Sequence, residues 1–234
     1  AGIEVASTCD CVAGHSLGEY SALAAAGALS VDVAARLLKT RGQAMQKAVP
    51  VGAGAMAALI GVDFDAAEEI ADAAAEGEVC TAANDNAPGQ VVLSGAAAAI
   101  GRVVEIAPDH GARRAILLPV SAPFHCAMMA PAADVMETAL AEAALDRPAV
   151  PLIANVTAEA VQEPDRIREL LVEQVTEMVR WRESVLTMKG RGVDTLVELG
   201  AGNVLTGLAR RIDRELTAIS VSDPDGVESF LNSL

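Results

Sequence analysis

The chain has 234 residues, 52% of them hydrophobic and only 2% aromatic, and carries a net charge of −15. Such a length can bury a sizeable core, as one large domain or as a large and a small one, filled by aliphatic and alanine side chains. The charge excludes a phosphate-tracking nucleic-acid surface, which needs clustered Lys and Arg. No apolar run is long enough to span a bilayer and nothing reads as a signal peptide, so a cytoplasmic protein without a membrane partner is expected.

In chain order, "CDCVAG" (9–14) is a strand candidate that runs into a glycine, and residues 17–28 read as an alanine-rich helix. Ser30 is an N-cap with Asp32 in the first turn, opening a helix to about Ala48. "AMAALIGV" is a strand, and "DAAEEIADAAAEG" a helix ending at Gly77. "EVCTAAN" and "GQVVLSG" are strands joined by a turn at "DNAP", followed by the mostly helical "AAAAIGRVVEIAPDHG" and the strand "RRAILLPV". This β-α-β-β-α-β order is that of a ferredoxin-like unit, expected over residues 53–121. Beyond it come a helix from Cys126 to about Leu145, strand "PLIANV", helices near 165–179 and 181–190, strand "DTLVELG", helix 203–215, strand "TAISV" and a short last helix. Alternating strands and helices predict an α/β protein whose large subdomain (1–52 and 122–234) holds a mostly parallel sheet covered on both faces. Cys9, Cys11, Cys80 and Cys126 lack metal-ligand spacing and read as buried, reduced thiols; no metal site is expected.

"GHSLG" (14–18) fits the G-x-S-x-G elbow, in which small flanking residues let the chain turn from strand to helix and expose the serine at a helix N-terminus. There, free N–H groups and the helix dipole favour a developing oxyanion. The pentapeptide alone also fits an ordinary helix cap at Ser16. A nucleophilic serine needs a base. His15 adjoins it and would point elsewhere, and His110 sits where a helix stops. His125 follows "LLPVSAPF" at the end of a strand, where α/β sites assemble, and is the best base candidate. No Asp or Glu stands out as a third triad member, and a backbone carbonyl could orient the ring instead. In helix 31–48, Arg41 falls on the apolar stripe of Ala34, Leu37, Leu38, Met45 and Ala48. A guanidinium facing inward is costly unless an internal carboxylate or a ligand anion pairs with it.

The segments "GHSLGEYSAL" (14–23), "RGQAMQKAVP" (41–50), "GAMAALIG" (54–61), "NDNAPGQVVLSG" (84–95), "PVSAPFHCAMMAPAAD" (119–134) and "ELGAGNVLTGL" (198–208) together resemble the malonyl-CoA:acyl carrier protein transacylase family. The resemblance spans essentially the whole chain. It implies an α/β-hydrolase-like large subdomain with an inserted ferredoxin-like small one. It further implies Ser16 as acyl carrier, His125 as general base, the Leu17 N–H as half of an oxyanion hole and Arg41 as binder of the malonyl carboxylate. Gln174, in "LVEQV", matches a glutamine whose main-chain carbonyl orients the histidine. Asn84, Asn86 and Gln90 match a segment lining the thioester and pantetheine cleft, although each also fits a turn-stabilising cluster. Phe124 limits the space for branched acyl groups.

The implied reaction is ping-pong malonyl transfer from malonyl-CoA to the phosphopantetheine of acyl carrier protein, by a monomer with no cofactor of its own. Alternatives are a polyketide synthase acyltransferase domain, a serine thioesterase or hydrolase, and an inert or merely carrier-binding fragment. The family's upstream Gly/Gln-rich motif has no match, so an N-terminally truncated chain is expected; the ending "DPDGVESFLNSL" reads as that of a standalone protein. Docking an acidic carrier onto an acidic chain calls for a local basic patch: Arg113 and Arg114, Lys189 and Arg191, or Arg210, Arg211 and Arg214.

Overall fold

The computed structural model describes residues 4–232. After a single helical turn α1 (Val5–Thr8), strand β1 (Val12–Ala13) runs into the short helix α2 (Gly18–Ala25) and then the long α3 (Val31–Ala48). The Ser30 hydroxyl accepts the Val33 N–H at 3.2 Å, capping α3 as the sequence predicts. A four-stranded antiparallel sheet follows, made of β2 (Gly54–Ile60), β3 (Cys80–Ala87), β4 (Gln90–Ala96) and β5 (Arg114–Leu117) in the order β3-β4-β2-β5. Helices α4 (Phe64–Ala75) and α5 (Ala97–Ile106) connect its strands. This is the predicted ferredoxin-like arrangement. Alternation along β2 builds two layers. Ala57 and Leu59 face the helices, with Ile70, Leu93, Ile100 and Val103, while Met56 and Ala58 face the other way, toward Phe124.

The rest of the chain forms the turn η1 (Ala127–Met129), α6 (Ala130–Glu142), β6 (Leu152–Ile153), β7 (Ala160–Val161), α7 (Pro164–Glu173), α8 (Trp181–Gly190), β8 (Thr195–Leu199), α9 (Val204–Ile212), β9 (Thr217–Val221) and α10 (Pro224–Leu231). β1 pairs β6 in parallel, β7 adds antiparallel to β6, and β8 pairs β9 in parallel as a separate two-stranded sheet. The apolar stripe of α3 packs on α6 in a core of Leu37, Met45, Met129, Met136, Leu140 and Leu152.

Three sequence expectations change. The "DNAP" stretch is not the turn: β3 runs through Asn84, Asp85 and Asn86, and the chain reverses at Pro88–Gly89, where Gly89 has φ 73°. Register shifts at Ala82/Asn84 and Asp85/Ala87 let this polar run stay in the strand. Its side chains find distant partners, Asp85 with Arg182 and Asn86 with His15. Second, the helix expected over 165–179 stops at Glu173, and residues 174–180 become a connecting segment. Third, only Cys80 and Cys126 are buried; Cys9 is exposed and Cys11 half-buried, because β1 begins after them.

Candidate active site

Ser16 lies between β1 and α2 with φ 52°, a left-handed conformation that a residue with a Cβ adopts only when its surroundings hold it there. Gly14 is obligatory in this turn, because a Cβ there would sit 2.0 Å from the backbone of Gly18. Gly18, expected to matter for the same reason, has open space around a Cβ; the crowding is one-sided. Asn155, just past β6, locks the elbow from beneath. Its Oδ1 accepts the Ser16 N–H at 2.7 Å and its Nδ2 donates to the Gly14 carbonyl at 2.8 Å.

The Ser16 hydroxyl is 2.7 Å from Nε2 of His125, whose Nδ1 is 2.8 Å from the Gln174 main-chain carbonyl. Gln174 caps the C-terminus of α7, where the last carbonyls have no helical acceptor role, so this oxygen is available to orient a ring. With Nδ1–H donating to that carbonyl, Nε2 faces Ser16 as an acceptor. His125 is buried and also left-handed, with φ 58°. Burial pushes its imidazole down to about 3, the nearby Arg41 charge pushes the same way, and the Gln174 carbonyl opposes both. The ring is therefore neutral, as a base must be.

Arg41 projects from α3 and is 7% exposed. Its Nη2 donates to the Ser16 hydroxyl and to Oε1 of Gln174, both at 3.0 Å, while its Nε is buried without an acceptor among the described residues. No carboxylate lies in ion-pair contact with it among those residues, so the internal pair left open by the sequence does not form. Burial lowers its affinity for the proton, and Tyr20 and Glu19 partly offset this. The Leu17 N–H opens α2 next to the serine and has no acceptor among the described residues.

Two residues not singled out as site candidates complete the arrangement. Glu19 is 1% exposed; its Oε1 accepts the Asn155 N–H at 2.9 Å, and its Oε2 accepts from Nε2 of Gln174. That same Nε2 donates to the Ser16 carbonyl at 3.0 Å. Burial lifts the Glu19 carboxyl to about 8, against the pull of Asn155, Gln174 and Arg41. A glutamate inside "LGEYSALAAA" and an asparagine inside "PLIANV" were the available signals: polar residues in otherwise apolar elements.

The connecting segment 174–180 ties the sheets to this centre. Val179 exchanges backbone hydrogen bonds with β3 on either side of Asn84, and the Arg180 N–H donates to the Asn155 carbonyl at 2.9 Å. Beside His125 opens a cavity of about 410 Å³, lined by Thr81, Ala82, Ala127, Thr176, Glu177 and Met178 among others.

The family described as an acyl transferase domain matches residues 5–221. The malonyl CoA-acyl carrier protein transacylase of Bacillus subtilis (strain 168) is 44% identical over 228 residues, 97% of this chain and 72% of that protein. The chain belongs to the acyl transferase family, among the malonyl-CoA:acyl carrier protein transacylases. The transacylase of Escherichia coli (strain K12) is 46% identical over 94% of this chain and 71% of its own length. A crystal structure of the acyl-carrier-protein-S-malonyltransferase from Bartonella henselae superposes with a TM-score of 0.96 at 52% identity, covering 99% of this chain and 74% of that one. A malonyl-transacylase in complex with its type II PKS acyl-carrier protein matches with a TM-score of 0.94 at 41% identity, over 96% of this chain and 73% of the other. The fold is thus the two-part α/β architecture expected from the sequence.

Of the sequence candidates, Ser16, Leu17, Arg41, His125 and Gln174 meet at one point. Asn86 stands next to them, holding Nε2 of His15 at 2.8 Å, with the His15 ring 5.5 Å from that of Trp181. Asn84 is buried at the bridge to Val179, and Gln90 accepts from Arg211 near the molecular surface. Phe124 packs between the small-sheet layer and the α3–α6 core. Among the described residues, no group of three or more His, Cys, Asp or Glu could hold a metal ion, and no helix is long and apolar enough to cross a membrane.

Proposed function

We propose that the chain moves a malonyl group from malonyl-CoA to the phosphopantetheine thiol of an acyl carrier protein through a malonyl ester on Ser16. The observation that carries this reading is Arg41: a buried guanidinium 3.0 Å from the Ser16 hydroxyl, with no carboxylate paired to it among the described residues. A plain serine hydrolase has no use for that charge, whereas a malonyl carboxylate matches its planar fork.

His125 takes the Ser16 proton on Nε2 as Oγ attacks the thioester carbon. The Leu17 N–H and the α2 N-terminus stabilise the tetrahedral oxyanion. Collapse breaks the C–S bond, and His125 returns the proton to the departing coenzyme A sulfur. The carrier thiol then gives its proton to His125 and attacks the ester carbonyl; Ser16 leaves and regains the proton. The substrate carboxylate has a second effect. It neutralises Arg41, whose charge depresses His125, so the base strengthens when the correct acyl group is bound.

In this reading residues 1–52 and 122–234 form the catalytic subdomain and 53–121 the small one. Asn84, Asn86, Gln90 and Phe124 border the path of the pantetheine arm. The chemistry draws on no cofactor bound to this chain, since phosphopantetheine arrives on the carrier. Free thiols at all four cysteines suit a cytoplasmic setting, and the proposed active form is a monomer. Arg113 and Arg114, exposed and without side-chain partners among the described residues, are the proposed carrier dock. Lys189 is already paired with Asp213 and Glu215, and Arg210 and Arg211 hold Ala218 and Gln90.

Arg41→Ala tests the reading. Expected is a fall in the malonyl-to-acetyl ratio of acylation rates by about tenfold to a hundredfold, the loss of one charge-assisted contact worth roughly 1–3 kcal/mol. Equal losses with malonyl-CoA and acetyl-CoA contradict it.

A further inference from the structure

Beneath the nucleophile the hydrogen bonds close into a ring. Ser16 N–H donates to Asn155 Oδ1 at 2.7 Å, and Asn155 N–H donates to Glu19 Oε1 at 2.9 Å. Gln174 Nε2 donates both to Glu19 Oε2 and to the Ser16 carbonyl, the latter at 3.0 Å. Both backbone polar groups of Ser16 are thus held by side chains of residues that Glu19 in turn holds, Asn155 by its main-chain N–H and Gln174 by its side-chain amide. The donor directions leave no freedom. Arg41 can only donate, so the Gln174 oxygen must face Arg41 and the Gln174 nitrogen must face Glu19. Both Glu19 oxygens then meet donors, an arrangement that an ionised carboxylate satisfies fully, whereas a protonated one has an O–H left to place. Glu19 touches neither the Ser16 hydroxyl nor His125 in any of these bonds, yet Arg41, His125 and Ser16 each reach it through the single residue Gln174.

We propose that Glu19 is a positioning residue whose ionised carboxylate closes this ring, holding Ser16 in its left-handed conformation and fixing the Gln174 amide that carries Arg41. It rests on the acyl-transfer reading above and adds to it a residue that sets the rate of acylation without meeting substrate. Protonating Glu19 puts a donor against a donor and opens the ring at Gln174 or at Asn155. Burial brings that protonation to about 8. The charged or titratable groups facing Glu19 are Arg41 on α3 and Tyr20 on its own helix. Neither titrates near neutrality: burial drives the Tyr20 hydroxyl further up, and an arginine keeps its proton. His125, at about 3, also stays outside the window.

Glu19→Gln keeps the shape and replaces one acceptor by a donor. The readouts are kcat and KM for Ser16 acylation by malonyl-CoA across pH 6.5 to 8.5. In the wild-type chain kcat is expected to rise about fivefold or more over this range. In the variant kcat is expected to be lower by about tenfold or more at the upper end and flat with pH, while KM changes by less than about twofold. A variant that keeps the wild-type rise, or that loses activity through KM alone, overturns the proposal. If Glu19→Gln does not fold, a flat wild-type kcat profile overturns it and the rise supports it. A folded wild-type chain that malonyl-CoA never acylates refutes the acyl-transfer reading. The ring is then tested by carbon-13 resonance of the glutamate side-chain carboxyls, read beside the Gln174 side-chain amide. A glutamate titration that moves the Gln174 side-chain amide resonance supports it, and a Gln174 amide that no glutamate titration moves overturns it.

Discussion

Between the four-stranded sheet and helices α4 and α5, the core holds Leu59, Ile70, Leu93, Ile100 and Val103, each packed among apolar side chains. Around Ser16 the buried side chains are Glu19, Arg41, His125, Asn155 and Gln174, each held by specific donors or acceptors, with Nε of Arg41 alone among their polar atoms named above left without one among the described residues. The first region draws its stability from non-directional burial, which tolerates exchange of one aliphatic residue for another of similar volume. The second depends on angles and directions, and it contains two left-handed residues, Ser16 and His125, costing about 1–3 kcal/mol each. The two regions meet along residues 174–180, where backbone bonds join β3 to Asn155 while Gln174 orients His125. The small sheet therefore supports the segment that aims the base.

Changes that act on only one side sharpen this contrast. The largest effect is expected from Gly14→Ala, whose methyl group meets the Gly18 backbone at 2.0 Å with nowhere to go. It should reduce Ser16 acylation by at least about a hundredfold, as displacement of reacting groups does. Gly18→Ala, its counterpart in the same motif, should leave acylation intact. Next comes Leu93→Ala, which should lower unfolding free energy in urea by about 2–5 kcal/mol. The chain that remains folded should acylate at close to the normal rate. A comparable loss of turnover per folded molecule would show that the two regions are not separable.

A smaller, graded effect should come from pH. The folded His125 holds its proton only below about 3, against an ordinary 6.5. The unfolded chain therefore binds the proton first, and the stability tied to this residue is complete above pH 6.5 and lost as pH falls toward 3. Glu19 runs the other way: with its carboxyl raised to about 8, its contribution is present below pH 4.5 and lost as pH rises toward 8. His125→Asn should flatten the acid side of a stability-against-pH curve, measured by urea unfolding, and Leu93→Ala should shift the whole curve without changing its shape.

The same contrast governed what could be read in advance. Helix α3 was legible because Ser30, Asp32 and the 3.6-residue stripe all agree, and Arg41 was conspicuous because it breaks that stripe. The small sheet was legible because its strands and helices follow the β-α-β-β-α-β order and its first helix stops just before Gly77, which has φ 88°. β1 and β6, with two residues each, were overestimated because apolar composition does not tell a strand from an extended connection. The stretch "DNAP" (85–88) reads as a turn because the partners of its polar residues, His15 and Arg182, are distant in sequence. For the same reason the partners of Asn155 and the side-chain role of Gln174 are not legible: a polar residue in an apolar strand marks Asn155, but a hydrogen-bond ring spanning 139 residues between Ser16 and Asn155 leaves no periodic trace.

The central claim is that Ser16 carries the malonyl group. The most direct measurement is the intact mass of the purified chain after mixing with malonyl-CoA, beside a Ser16→Ala control, with released coenzyme A assayed in the same samples. The account predicts a single malonyl increment on the wild-type chain, none on the control, and removal of the increment when an acyl carrier protein thiol is added. An increment on both chains, or no increment and no released coenzyme A from a wild-type chain that melts cooperatively, would contradict it.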